Sequence, residues 1–257
     1  MSKDQHATLG RRHQELLQII EANGQISVDE MVQHFGVSDD TIRRDLQNLE
    51  RRKLLLRTHG GAVSTALLVY RETPFLTHAN AKLRIGRAAA QLVSDGETLI
   101  INAGSTTFAF GASLGSRRNL TIVTNNVALL PALPKEAIQD VYLLGGQYRM
   151  NLGSTLGAVE FSSGGINVDT AVLGVSGMTL IKGLSTTLLE EASMMARMIS
   201  CARRTIIVAD ASKLGFDAFA QSAPLNAIDI LVTDASPSEE FSQALSEANI
   251  ELVVAPA

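Results

Sequence analysis

Apolar residues in the first 63 positions recur at helical spacing in three short runs. Leu9, Leu16, Leu17 and Ile20 fall on one side of a helix that stops near Asn23-Gly24. Ser27-Val28-Asp29-Glu30 then has the form of a capping box, and Val28, Met31, Val32 and Phe35 mark a second amphipathic helix that turns at Gly36. Ser38 is expected to cap a third helix. Its inward stripe is Ile42, Leu46 and Leu49, and its outward face carries Asp40, Arg43, Arg44 and Gln47. Leu54–Val63 reads as two short strands bent at Gly60-Gly61.

The pattern then changes. Ser64–Asn80 has no clear period and contains Thr73-Pro74, which suggests a connection. Lys82–Val93 reads as a helix, and beyond it short apolar runs alternate with helical segments: Thr98–Ile101, Leu120–Val123, Val141–Leu144, Thr170–Val175, Thr205–Ala209, Ile228–Thr233 and Glu251–Val254. Such alternation predicts an α/β domain around a mainly parallel sheet. The expected organisation is a helical unit with a small wing over residues 1–63, a linker over 64–81 and an α/β domain over 82–257.

Two helices joined by a short Gly-containing turn, the second presenting arginines and amides near its start, have the geometry that enters a DNA major groove. Ser38 and Thr41 would meet phosphates, as would Arg57 and His59 of the wing. Arg43, Arg44 and Gln47 would face bases, and Asp40 could accept from cytosine. A helical protein-interaction module is the other use of such a surface. The net charge of −4, from 22 Lys and Arg against 26 Asp and Glu, gives no sign of a nucleic-acid partner. Its distribution does, because the acidity belongs wholly to residues 63–257. Within Arg43–His59, Arg43, Arg44, Arg51, Arg52, Lys53 and Arg57 stand against only Asp45 and Glu50.

In parallel sheets ligands sit beyond the carboxyl ends of the strands. The first expected strand of the α/β domain runs into Asn102-Ala103-Gly104-Ser105-Thr106-Thr107 and then a helix. Backbone N–H groups, hydroxyl donors and the positive end of a helix dipole together suit a phosphate or carboxylate. Later strands end in Thr124-Asn125-Asn126, Gly145-Gly146-Gln147 and Asp210-Ala211-Ser212-Lys213, where Lys213 offers a second phosphate contact. The single cysteine, Cys201, excludes an intramolecular disulfide, fits a reducing compartment and is expected to pack as a small hydrophobe. The Met194-Met195-Ala196-Arg197-Met198 stretch is expected in the core. No apolar run has the length of a membrane span or the form of a secretion signal, which predicts a cytoplasmic protein without a membrane partner. Neither a Walker-type loop, nor G-x-G-x-x-G after a strand, nor a His pair at i, i+4 occurs, so no cofactor or metal is expected.

Val37-Ser38-Asp39-Asp40-Thr41-Ile42-Arg43-Arg44-Asp45-Leu46-Gln47-Asn48-Leu49-Glu50, followed by Arg57-Thr58-His59-Gly60-Gly61-Ala62, resembles the DNA-binding signature of the DeoR family of bacterial sugar-catabolism regulators. The segments of the second domain resemble that family's effector domain and the ribose-5-phosphate isomerase fold to which it is similar. The resemblance implies a winged helix-turn-helix followed by an α/β sensor domain of isomerase-like type. It also implies a homo-oligomeric repressor, dimer or tetramer, whose operator affinity changes when a phosphorylated sugar or sugar acid binds. Asn102, Gly104, Ser105, Thr106, Thr107 and Lys213 would serve the phosphate, and Asn125, Lys182 and Glu191 the sugar.

The isomerase comparison keeps a second reading open, a sugar-phosphate isomerase with an accessory N-terminal domain. On that match Glu191 takes the place of the general base and Lys182 and Lys213 the places of substrate-binding lysines. The acidic cluster that orients sugar hydroxyls is replaced by Leu173-Gly174-Val175-Ser176-Gly177, which speaks for a sensor. The chain also departs from the regulators. Asn102 stands where many have aspartate, and Met195 where they often have lysine.

Overall fold

The computed structural model describes residues 10–23, 25–52, 54–58, 60–64, 78–157 and 165–256. The chain forms two compact units, Met1–Arg71 and Glu72–Ala257. Most of the expected linker lies outside the described residues, as does Leu9 of the first helical stripe.

In the first unit α1 (Arg11–Asn23), β1 (Gln25–Ser27), α2 (Val28–Phe35), α3 (Asp39–Arg51), β2 (Leu55–Thr58) and β3 (Gly61–Ser64) follow in order. The stripes converge as their spacing requires: Leu16, Leu17, Ile20, Met31, Ile42, Leu46 and Leu49 are all buried in one core. The capping box is complete, since the Ser27 hydroxyl accepts from the Glu30 N–H and the Glu30 carboxylate accepts from the Ser27 N–H. Gly36 ends α2 at φ 63°, a left-handed turn that glycine adopts without strain. Ser38 departs from expectation. It occupies the N-cap position of α3, but its hydroxyl pairs with that of Thr41 at 2.9 Å instead of capping a backbone N–H. The wing has a third strand, because β1 pairs antiparallel with β3, which pairs antiparallel with β2.

The second unit contains α4 (Ala79–Gln91), β4 (Thr98–Ile101), α5 (Ser105–Ala112), β5 (Leu120–Thr124), β6 (Ile138–Leu143), β7 (Gln147–Arg149), β8 (Ser154–Leu156), β9 (Val168–Leu173), β10 (Gly177–Thr179), β11 (Gly183–Thr186), α6 (Leu189–Ser200), β12 (Ala202–Val208), β13 (Ala220–Ala223), β14 (Ile230–Thr233), α7 (Glu239–Glu247) and β15 (Glu251–Val254). Seven strands form one sheet in the order β15-β14-β12-β9-β4-β5-β6, with every neighbouring pair parallel. These are the seven expected strands, buried as near-continuous apolar runs except at β6 and β15. The helix expected from Lys82 begins at Ala79, so the last residues of the expected linker are helical.

Two small antiparallel sheets, β10-β11-β13 and β7-β8, were not legible in the apolar pattern. The first hangs from the carboxyl end of β9. Helix α4 runs with its start at the carboxyl ends of the strands, since Arg84 reaches Asp234 and the Pro256 carbonyl, while Arg204 at the start of β12 donates to the Leu92 carbonyl at its other end. It packs backbone to backbone on α5: a Cβ on Gly86 would come within 2.6 Å of the Ala109 carbonyl carbon and the Phe110 nitrogen. Met194, Met195, Met198 and Cys201 are buried. No described helix is long and apolar enough to cross a membrane.

Candidate DNA interface and anion site

Helix α3 turns Ile42, Leu46 and Leu49 into the core and leaves Asp40, Arg43, Arg44 and Gln47 exposed on the opposite side, with Ser38 exposed and Thr41 half-buried at its start. Arg43 is held by an i, i+4 ion pair with Asp39. Arg44 and Gln47 make no side-chain hydrogen bond among the described residues. The two acids within the basic segment do not offset it at the surface as the sequence suggests. Asp45 faces α1, where it accepts from Arg12 Nε at 2.7 Å and meets His13 Nε2 at 2.9 Å. Burial works to raise its pKa, but the hydrogen bonds from Arg12 and His13 outweigh it and hold the carboxyl below the usual aspartate value. Glu50 accepts the Arg57 N–H at 3.2 Å and so ties α3 to the wing, leaving the Arg57 side chain half-exposed. His59 lies outside the described residues.

In the second unit the loop from β4 to α5 is drawn into shape by three side chains. Asn102 clamps the end of β9: its Oδ1 accepts the Gly174 N–H and its Nδ2 donates to the Gly174 carbonyl, both at 2.9 Å. This clamp takes both backbone groups of Gly174, and β9 stops at Leu173 instead of running on to Val175. Thr107 folds the loop onto itself, its hydroxyl donating to the carbonyls of Asn102 at 2.8 Å and Gly104 at 3.1 Å. Asn125, at the end of β5, accepts the Ala103 N–H at 2.9 Å and donates to the Thr155 carbonyl at 2.8 Å. The amides of Asn102 and Asn125, expected from sequence to contact a ligand, each make one donor and one acceptor bond to backbone.

What remains is a cradle. Gly104 is the N-cap of α5 in extended geometry, and Ser105 and Thr106 follow in the first turn, where helical N–H groups lack intrahelical partners. The Ser105 and Thr106 hydroxyls make no hydrogen bond among the described residues. Along the same carboxyl edge, β12 leads into Asp210, whose buried carboxylate accepts from the N–H and hydroxyl of Ser212. Lys213 follows, half-exposed.

Lys82, on the first turn of α4, belongs to this edge although the sequence reading passed over it. It is only 5% accessible. Burial, with the nearby positive charge of Lys213, lowers its pKa to about 8 against the opposing pull of Asp210. The signal was present in the sequence. Lys82 precedes Ile85, Gly86, Ala89 and Ala90 at i+3, i+4, i+7 and i+8, all of them buried, so a lysine heads the inward stripe of its helix.

The two remaining predicted residues have other engagements. Lys182 lies at the exposed β10–β11 turn with its ammonium 2.5 Å from Asp217, and its carbonyl accepts from Gln221. Glu191, in the first turn of α6, accepts the Thr186 hydroxyl at 2.5 Å.

A helix-turn-helix with a three-stranded wing, followed in the chain by an α/β unit with a parallel sheet, defines a DNA-binding regulator with its own sensor domain. Residues 12–66 match the DeoR-like helix-turn-helix domain and residues 77–235 the DeoR C-terminal sensor domain. The chain belongs to the DeoR family of transcriptional regulators, and it is a regulator and not an enzyme. It is 33% identical over 248 residues to the glycerol-3-phosphate regulon repressor of Escherichia coli (strain K12), covering 94% of this chain and 97% of that protein. It is also 33% identical over 246 residues to the HTH-type transcriptional repressor GlcR of Bacillus subtilis (strain 168), covering 93% of each. Among solved structures, ribose 5-phosphate isomerase A from Methanocaldococcus jannaschii overlaps 53% of this chain and 55% of its own, at 18% identity and a TM-score of 0.35.

Proposed function

We propose that this regulator is a cytoplasmic repressor of a carbohydrate-catabolism operon. It binds operator DNA as a homo-oligomer and loses affinity when a small phosphorylated sugar or sugar acid enters the cradle at the start of α5. The observation that carries this reading is the division of labour in the β4–α5 loop. Asn102, Thr107 and Asn125 fix the backbone, which leaves the Ser105 and Thr106 hydroxyls and the first N–H groups of α5 to meet an anion, with Lys82 and Lys213 supplying charge. Two relatives named as repressors, one of a glycerol-3-phosphate regulon, support both the sign of regulation and the phosphorylated ligand class. The effector acts by linkage: it binds one arrangement of the sensor domains better, and that difference changes how the attached helix-turn-helix units meet their half-sites.

The test is fluorescence anisotropy on the duplex upstream of its own gene, titrated with glycerol 3-phosphate, glucose 6-phosphate and other sugar phosphates. Salt-dependent preference for that duplex over a scrambled one, reversed by one phosphorylated compound and not by its unphosphorylated parent, is expected. Binding indifferent to every phosphorylated compound would overturn the sensor assignment.

A further inference from the structure

The two edges of the seven-stranded sheet differ in character. At one, β15 opens with Glu251, is followed by Ala255-Pro256, and has Arg84 Nη1 donating to the Pro256 carbonyl at 3.1 Å. A charge, a proline and a covering side chain all blunt an edge against further pairing. At the other, β6 is unguarded. Its register with β5 skips Gln139 and is regular over Asp140–Leu143, and among the described residues no strand pairs on its other side. There Val141, Tyr142 and Leu143 stand exposed in succession, at 42%, 60% and 46% accessibility. Residues of β6 that point to either face of the sheet are exposed. Tyr148 and Met150, a few residues on, are exposed as well.

An open strand edge accepts another extended strand, and its side chains decide which one. The only charge on β6 is Asp140. If a second copy pairs antiparallel about Tyr142, Val141 lies opposite the other copy's Leu143 and Tyr142 meets Tyr142, so every exposed apolar residue of the strand gains an apolar neighbour. The two Asp140 carboxylates then sit at opposite ends of the ladder, about 13 Å apart along the strand. Pairing about Asp140 would instead set carboxylate against carboxylate. We propose that β6 is the surface through which two copies of this chain join, each sheet continuing into the other across a two-fold axis centred on Tyr142. This rests on the reading of the regulator as an oligomer that brings two helix-turn-helix units to DNA, and gives that oligomer its contact.

Sedimentation of the full chain without DNA reads the interface directly. Val141→Lys combined with Leu143→Lys places lysine opposite lysine at two symmetric positions and should weaken self-association roughly 30-fold or more. Val141→Lys combined with Leu143→Glu opposes unlike charges and should restore it. Tyr142→Cys should yield a disulfide-linked dimer under mild oxidation, while Val254→Cys on β15 should not. Self-association indifferent to the paired lysines, absence of the Tyr142→Cys cross-link, or a native chain that stays monomeric at high concentration would overturn the proposal. A chain that dimerises through β6 yet ignores its operator would sink the repressor reading and leave the interface standing.

Discussion

Asn125 joins the β4–α5 loop to the β7–β8 hairpin: its Oδ1 accepts the N–H of Ala103 at 2.9 Å while its Nδ2 donates to the carbonyl of Thr155 at 2.8 Å. Thr155 returns the contact through its own N–H, which donates to the Asn125 carbonyl at 2.9 Å, and its hydroxyl donates to the carbonyl of Leu144 just past β6. One buried amide therefore fixes two segments that share no strand pairing.

Replacing Asn125 with alanine strands a backbone donor and a backbone acceptor, each costing about 1–3 kcal/mol when buried without a partner. The sensor unit should lose stability by that order, read from urea unfolding. Effector affinity should fall as well, because the Ala103 backbone that Asn125 holds belongs to the loop that leads into α5. Asn125→Asp keeps the acceptor for Ala103 and loses the donor to Thr155, so it should retain more effector affinity than Asn125→Ala.

Burial of Lys82 imposes a cost on folding that, on the proposed function, an anion beside it would relieve. Its folded pKa of about 8 lies below the ordinary lysine value of 10.5, so folding disfavours its charged form. The penalty is present in full below about pH 8 and fades as pH rises toward 10.5, where the unfolded chain loses the proton too. Lys82→Met removes that cost together with the lysine's own contacts, so relative to the native chain it should be more favourable at pH 7 than at pH 10, by an amount on the order of 2 kcal/mol. The same variant should respond poorly to the effector. In the native protein, binding must restore the lysine's charge, so affinity should weaken by up to about tenfold per pH unit as pH rises through 8. Thermal melts and anisotropy titrations at several pH values check both signs.

Much of this architecture was legible in the chain. The seven parallel strands are apolar runs of four to seven residues, long enough for pattern to show, and the helix stripes of the first unit were set by spacing alone. The strands β1, β7, β8, β10, β11 and β13 are three or four residues long. Tertiary pairing, not local periodicity, makes them strands. The β4–α5 loop showed its residue types but not their division of labour, because the hold of Asn102 on the backbone of Gly174 is a contact 72 positions away. The engagement of Asp45 with α1 was hidden for the same reason. Its sequence neighbours place it in a basic surface, and its spatial neighbours place it against α1.

That placement of Asp45 predicts acid lability confined to the first unit. Its pKa is held below the ordinary aspartate value of 3.8, so its contribution is present above that value and is lost as pH falls through the lower, folded one. Asp45→Asn leaves the partly exposed Arg12 without its charged partner and should cost about 1 kcal/mol at neutral pH. It should also flatten the acid transition of the helix-turn-helix unit. Circular dichroism across an acid titration separates the two effects, and the unfolding of the sensor unit should be unchanged.

The arginines of α3 are not equivalent, and DNA binding should reveal it. Arg43 is already committed to Asp39 one turn earlier, and an exposed pair of this kind contributes little to stability but must be reoriented before its guanidinium can reach a base. Arg44 carries no such commitment among the described residues. Arg44→Ala should therefore cost more operator affinity than Arg43→Ala. Gln47→Ala should lower discrimination at one base pair, by about 1–3 kcal/mol if its contact is bidentate, without changing the salt dependence. Arg57→Ala on the wing should weaken binding to all sequences alike and reduce the salt slope by about one counterion. Anisotropy titrations over a salt series, run on the operator and on single-base variants, distinguish the three outcomes. Equal losses for Arg43→Ala and Arg44→Ala would show that the Asp39 pair does not restrain Arg43 at the DNA.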